Sequence, residues 1–261
     1  MAIEFIGSLG GQADLAADPE YPARMGGLHE EAGFDRLLVD CPAGSADPVA
    51  VANQVLTTTS GLGVLLAHRP GSVAPTIAAR QFATLEAFHP GRVAMLVMAD
   101  GDAAEQRRGR EFLDVVRLEW DRAEPFDYEG EFYRVAGGRS AVRPRGGGLP
   151  VYVGGVSPGA VKTGARHADV YALWDEPPAT LAGRMAAVRA AAAAHGRTPR
   201  FSASLRPPTA SAGQVAGTLV DCLSLGVSTV LLRGYDPEAE AAYYAALLRR
   251  VRDQAGQARV A

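Results

Sequence analysis

Cysteine is nearly missing from this chain. Cys41 and Cys222 are the two among 261 residues, too few for a disulfide framework and unable to form a CxxC motif. Such usage fits reduced, mostly buried thiols and a cytoplasmic setting. Lysine is scarcer still, Lys162 standing alone among 26 basic residues. An excess of one charge is also lacking. The 26 basic and 29 acidic residues leave a net −3, which excludes a strongly basic nucleic-acid binder and a polyacidic tail. No run approaches the roughly 18 apolar residues of a membrane span, and residues 1–9 lack the charged region and long apolar stretch of a signal peptide. No HxH, HExxH or His/Cys cluster points to a protein-bound metal. The nucleophile-elbow and P-loop patterns are absent too, so serine hydrolysis and P-loop chemistry lose their usual signatures.

What is present is a rhythm. With 48% hydrophobic residues, the chain has material for one large core. Short apolar runs at 3–9, 36–41, 63–67, 93–98, 151–153, 170–174, 201–205 and 229–233 predict strands. Each is followed by a stretch of helical period: 22–32, 49–59, 72–88, 105–121, 157–167, 178–195, 211–225 and 238–254. Asp47 and Pro48 suit the start of the second helix, and Gly33 the end of the first. Residues 126–133 predict a small hairpin turning at Glu129-Gly130, and 139–149 a loop. Eight strands, each followed by a helix, predict a single α/β domain over 1–261, a (β/α)₈ TIM barrel. A doubly wound sheet is the alternative, but Gly7 to Gly11 lacks the spacing of its glycine-rich turn.

In such a barrel the carboxyl ends of the strands carry the chemistry. Gly154-Gly155-Val156-Ser157 ends strand five and opens a helix, where backbone N–H groups favour an anion. Ser157 is then a phosphate donor or simply an N-cap. Trp174 ends strand six, placed to stack on a flat ligand or to plug the barrel. His68-Arg69-Pro70 ends strand three, with Arg69 a candidate anion holder unless both side chains pair with carboxylates. Arg206 follows strand seven and Tyr235 follows strand eight. The remaining histidines, His29, His89, His167 and His195, sit on helices or at their ends and read as structural or solvated.

These residues together resemble the luciferase-like flavin-dependent monooxygenases, and within them the alkanesulfonate monooxygenases. The resemblance rests on His68-Arg69-Pro70 with residues 74–85, on Val151 to Gly155 with Ser157, on Asp169 to Pro178, and on Leu225 through Tyr235. It implies a (β/α)₈ barrel binding FMN at its carboxyl mouth. It also implies reduced FMN supplied by a separate flavin reductase, O2 as oxidant, a small organic substrate, and a homodimer. By resemblance, Tyr235, Arg206, His68 and Ser45 become candidate catalytic residues. Ala99, Gly154, Gly155, Val156, Ser157, Trp174 and Arg69 become candidate cofactor contacts. A deazaflavin is the less favoured cofactor, and a non-catalytic flavin-binding homologue the alternative role.

The chain departs from the family pattern at several points. The long insertion that forms the mobile lid is missing, with Pro207-Pro208 leading almost directly into the next helix. The family's polar strand-four end reads Leu96 to Asp100, and its Arg-x-His reads Ser204-Leu205-Arg206. The segment that helps hold the flavin phosphate reads Asp102 to Arg108 without tyrosine, leaving Arg107 or Arg108 as substitutes. A substrate other than an alkanesulfonate follows from these losses.

Overall fold

In the computed structural model, residues 3–9, 18–41, 44–145, 148–174, 178–206, 212–234 and 236–257 are described. The chain runs β1 (Glu4–Ser8), α1 (Tyr21–Ala32), β2 (Arg36–Val39), α2 (Pro48–Thr58), β3 (Gly63–His68), α3 (Pro75–Phe88), β4 (Val93–Met98) and α4 (Ala103–Asp121). A two-stranded excursion follows, β5 (Phe126–Glu129) and β6 (Arg134–Gly138). Then come β7 (Val151–Gly154), α5 (Pro158–His167), β8 (Val170–Trp174), α6 (Pro178–Ala193), β9 (Arg200–Leu205), α7 (Ala212–Ser224), β10 (Thr229–Leu232) and α8 (Pro237–Gln257).

Eight strands close into a barrel in the order β1-β10-β9-β8-β7-β4-β3-β2. The pairs β1–β10, β1–β2, β9–β10 and β4–β7 run parallel. Register is set by facing pairs such as Phe5 with Val230 and Met95 with Val151. This is the (β/α)₈ barrel that the rhythm predicts. Strands covered on both faces need no polar alternation, which is why β4 reads Val-Ala-Met-Leu-Val-Met and is buried until Met98.

Contacts divide the chain into two compact units. The first comprises Met1–Leu65, Ala172–Ala186 and Arg200–Ala261. Its core includes Phe5, Ile6, Leu37, Val39, Val230 and Leu232, all fully buried. Helix α1 ends on Gly33 at φ 85°, a left-handed conformation that glycine adopts without penalty. Arg252 of α8 holds that end, donating to the Gly33 carbonyl at 2.9 Å and to the Asp35 carboxylate at 2.8 Å. His29 of α1 is 1% exposed. Its Nδ1 lies 2.7 Å from the Met25 carbonyl oxygen, and burial pulls its pKa down to about 4.

The second unit comprises Leu66–Tyr171 and Ala187–Pro199. Trp120 of α4 donates to the Ala79 carbonyl of α3 at 2.9 Å. Gly164 of α5 packs on the ring of Tyr171, where a side chain would collide. The Tyr171 hydroxyl donates to the Gly155 carbonyl at 2.7 Å. The hairpin corrects one expectation. Its strands are 126–129 and 134–138, joined by a four-residue turn rather than by Glu129-Gly130 alone. The cause is Glu111 of α4. Its carboxylate accepts the N–H groups of Glu131 and Phe132 at 2.9 Å and of Tyr133 at 3.3 Å, drawing the turn into a longer loop.

Candidate functional site

On the second unit the rim is built by the ends of β3, β4 and β7. His68 closes β3. Its ring stacks on Phe112 of α4 at 4.6 Å and 14°, and meets Phe82 of α3 edge-on at 6.1 Å. No carboxylate among the described residues pairs with its Nε2. Its Nε2 is buried and has no hydrogen-bond partner among the described residues. Burial pulls its pKa down to about 4, so the imidazole is neutral near pH 7. The Tyr133 ring also meets Phe112, edge-on at 6.4 Å. The Tyr133 hydroxyl is also buried without a partner among the described residues, and burial raises its pKa. Two orphaned polar atoms thus border one phenyl ring. Arg69 is exposed, and its carbonyl accepts from the Ser72 N–H and hydroxyl to turn the chain toward α3.

The β4 and β7 ends are joined at Ala99, whose N–H donates to the Gly154 carbonyl at 2.7 Å. Ala99 is 2% exposed. Beyond it, the Asp100 carboxylate accepts the N–H groups of Val156, at 2.9 and 3.0 Å, and of Ser157, at 2.9 Å. The anion predicted at the start of α5 is therefore supplied by the chain itself. Ser157 is the N-cap, its Oγ accepting from the Ala160 N–H at 3.1 Å. Two residues past Asp100, Asp102 caps α4 in a reciprocal capping box with Glu105. Arg107, a candidate phosphate holder, donates from Nε and Nη2 to the Glu131 carboxylate, at 2.9 and 3.0 Å. Arg108 lies over the Phe132 ring at 5.0 Å.

On the first unit lie the ends of β2, β8, β9 and β10. Ser45 lies exposed in the loop after β2, with Cys41 half-buried before it. Trp174 closes β8 half-buried, with the Arg233 guanidinium 4.4 Å from its ring centroid. Arg233 Nε also donates to Ser204 Oγ of β9 at 2.8 Å. Arg206 follows β9 and is exposed. Tyr235 and the Pro207-Pro208 step lie outside the described residues.

Asp100, Tyr133 and the Arg233–Ser204 pair escape sequence reasoning. Asp100 has a signal in retrospect: an acidic residue directly after a strand whose barrel neighbour ends in Gly-Gly-x-Ser. Tyr133 has none, because its place beside Phe112 depends on the turn that Glu111 shapes.

A separate cavity of about 470 Å³ opens on the flank of the second unit, lined by residues including Asp114, Arg117, Tyr128, Arg166, His167 and Arg197. Burial alone would raise the Asp114 carboxyl, but His167 and Arg166 bring it below its ordinary value. Tyr128 is pushed up to about 12, by burial and then by the Asp114 and Glu111 charges. Nearby, Asp169 accepts from Arg117 at 2.8 Å, Arg197 at 2.7 Å and the Val151 N–H at 2.9 Å. These bonds lie at the amino ends of β7 and β8, the face of a barrel given to stability. No group of three metal-ligating side chains occurs among the described residues, and no described helix is long and apolar enough to cross a membrane.

Comparison with known proteins agrees with this architecture. Among solved structures, a long-chain alkane monooxygenase is 12% identical, with a TM-score of 0.84 over 98% of this chain and 92% of its own. The EDTA monooxygenase of Chelativorans sp. BNC1 is 15% identical, with a TM-score of 0.83 over 97% and 94%. An F420-dependent secondary alcohol dehydrogenase, solved with an F420-acetone adduct, is 15% identical, with a TM-score of 0.80 over 96% and 99%. At such identities the likeness is one of fold. A family model described as luciferase-like monooxygenase matches residues 5–261, nearly the whole barrel, and the chain belongs to that family.

Proposed function

We propose that this chain is a single-domain, cytoplasmic oxidoreductase that holds a flavin-type cofactor at the carboxyl rim and oxidises a small organic substrate with O2. The observation that carries this reading is the family match over residues 5–261. The rim supports it on the second unit. Ala99, Gly154 and Gly155, buried where β4 and β7 end, carry no bulky side chains. His68 offers a buried nitrogen with no partner among the described residues. A polar ring edge would satisfy it, which suits a flavin or a deazaflavin better than an apolar ligand. The phosphate of FMN fits less well, because Val156 and Ser157 already donate to Asp100.

Reduced flavin would supply the electrons that activate O2. The chain's own residues bind and orient. Neutral His68 donates or accepts one hydrogen bond without carrying charge. Arg206, a permanent cation, holds an anionic group rather than moving protons. Ser45, Tyr235, Trp174 and Arg69 are proposed as further contacts to substrate or cofactor. Reduced cofactor would come from a separate flavin reductase, and the chain would pair as a homodimer.

Anaerobic titration with FMN, riboflavin and a deazaflavin, oxidised and reduced, tests this reading. Tighter binding of a reduced form, followed by substrate-dependent O2 uptake with a reductase, is the expected result. Saturable binding of none of them would overturn it. Arg206→Ala is expected to weaken cofactor or substrate binding by roughly 1.5–3 kcal/mol, the range for charged hydrogen bonds. Unchanged affinity for both would remove that role.

A further inference from the structure

The amino end of α5 is where a ligand anion belongs, and Asp100 already fills it. The carboxylate is held by three contacts to two consecutive N–H groups, all at 2.9–3.0 Å. Gly155, at φ 143°, makes the approach possible. A Cβ there would fall 2.8 Å from Asp100 Cγ and 2.6 Å from the Ala160 Cβ. The missing Cβ of Gly155 opens the backbone to this side chain. The Ser157 hydroxyl oxygen is engaged with the Ala160 N–H, so the usual third anchor for an anion is committed as well. The turn that presents Asp100 is itself fixed. Gly101 sits at φ 125°, Gln106 Nε2 donates to its carbonyl at 2.9 Å, and Asp102 anchors the next helix.

We propose that Asp100 is a specificity-determining residue that sets this rim against phosphate-bearing ligands. A phosphate brought to α5 would meet a fixed carboxylate instead of free N–H groups, and like charges brought together oppose binding. Resting on the flavin reading above, the ligand class is a flavin whose end near α5 carries no phosphate: riboflavin, not FMN.

The test uses the full chain, Asp100→Ala and Asp100→Asn. Thermal unfolding is followed with inorganic phosphate and with sodium chloride at matched ionic strength. Riboflavin and FMN affinities are measured by flavin fluorescence. Phosphate is expected to leave the wild-type midpoint at its chloride value and to raise that of Asp100→Ala, whose N–H groups are released. The wild type is expected to bind riboflavin roughly tenfold or more tightly than FMN. Asp100→Ala is expected to erase that ratio by gaining FMN affinity. Equal phosphate responses in wild type and variant, or a wild type that prefers FMN, would overturn the proposal. If neither flavin binds any form, the flavin reading falls, and the phosphate arm alone decides the role of Asp100. Should Asp100→Ala fail to fold, Asp100→Asn keeps an oxygen acceptor without the charge and carries the comparison, with a smaller rise in FMN affinity expected.

Discussion

The guanidinium of Arg233 covers one face of the Trp174 indole, 4.4 Å from its centroid. The same guanidinium is anchored to Ser204 Oγ at 2.8 Å, so β8, β9 and β10 are tied together at their carboxyl ends. Arg233→Ala is expected to lower stability by about 1 kcal/mol, the order of a partly buried cation–π contact, and to shift the Trp174 emission. Urea unfolding followed by tryptophan fluorescence checks both. An unchanged midpoint would mean that the contact contributes nothing.

Acid stability should turn on two histidines. Burial holds His29 and His68 at about 4, below the ordinary 6.5. Between those values the unfolded chain binds protons that the folded chain refuses, so stability falls as pH drops from 6.5 toward 4 and is full above 6.5. For His29, almost wholly buried, the contribution is roughly 3 kcal/mol. Denaturation midpoints across that window should slope downward with acid in the wild type. In His29→Gln the slope should be visibly flatter.

Glu111 is 9% exposed and holds the hairpin turn through three N–H groups. Glu111→Ala leaves those donors without their acceptor, a loss of about 2 kcal/mol. Hydrogen exchange should accelerate at 131–133 first, while exchange in β4 and β7 stays near its wild-type rate. Uniform acceleration across the barrel would contradict a local role.

Two ion pairs should behave oppositely. Asp169 is shared by Arg117, Arg197 and a backbone N–H. Asp169→Ala is expected to cost about 2 kcal/mol, because a partly buried charged network loses its centre. Glu129 and Arg134 pair with side chains 77% and 76% exposed, and Glu129→Ala should lie within the ~0.5 kcal/mol of ordinary surface changes. Chemical denaturation of both variants at low and high salt separates the cases.

Thiol chemistry gives a simple check. Neither cysteine is in a disulfide: Cys41 is half-buried, and Cys222 is fully buried, with burial raising its pKa. One thiol per chain should react readily with a disulfide reagent under native conditions, and the second only after unfolding.

Local chemistry made most of the fold legible. Asp47 caps α2 through the N–H groups of Val49 and Ala50, Gly33 ends α1, and the apolar run of β4 is buried as its composition requires. What sequence reasoning missed is non-local. Asp100 reads locally as a lost polar contact. Its partners lie 56 and 57 residues away, and only the pairing of β4 with β7 brings them to it. His68 was placed correctly at the end of β3, but its ring partner Phe112 comes from α4. No local signal distinguishes a stacked imidazole from one paired with a carboxylate.

Closure of the barrel sets a schedule for synthesis. β1 pairs with β10 at Phe5 and Val230, and Thr229 Oγ1 donates to Glu4 at 3.1 Å across 225 residues. As the chain leaves the ribosome, β1 appears first among the barrel strands and waits longest for its second neighbour. Until Thr229 to Leu232 emerge, its apolar edge is an unpaired template for other chains. Aggregation during expression should therefore depend on how fast the last quarter of the chain is translated.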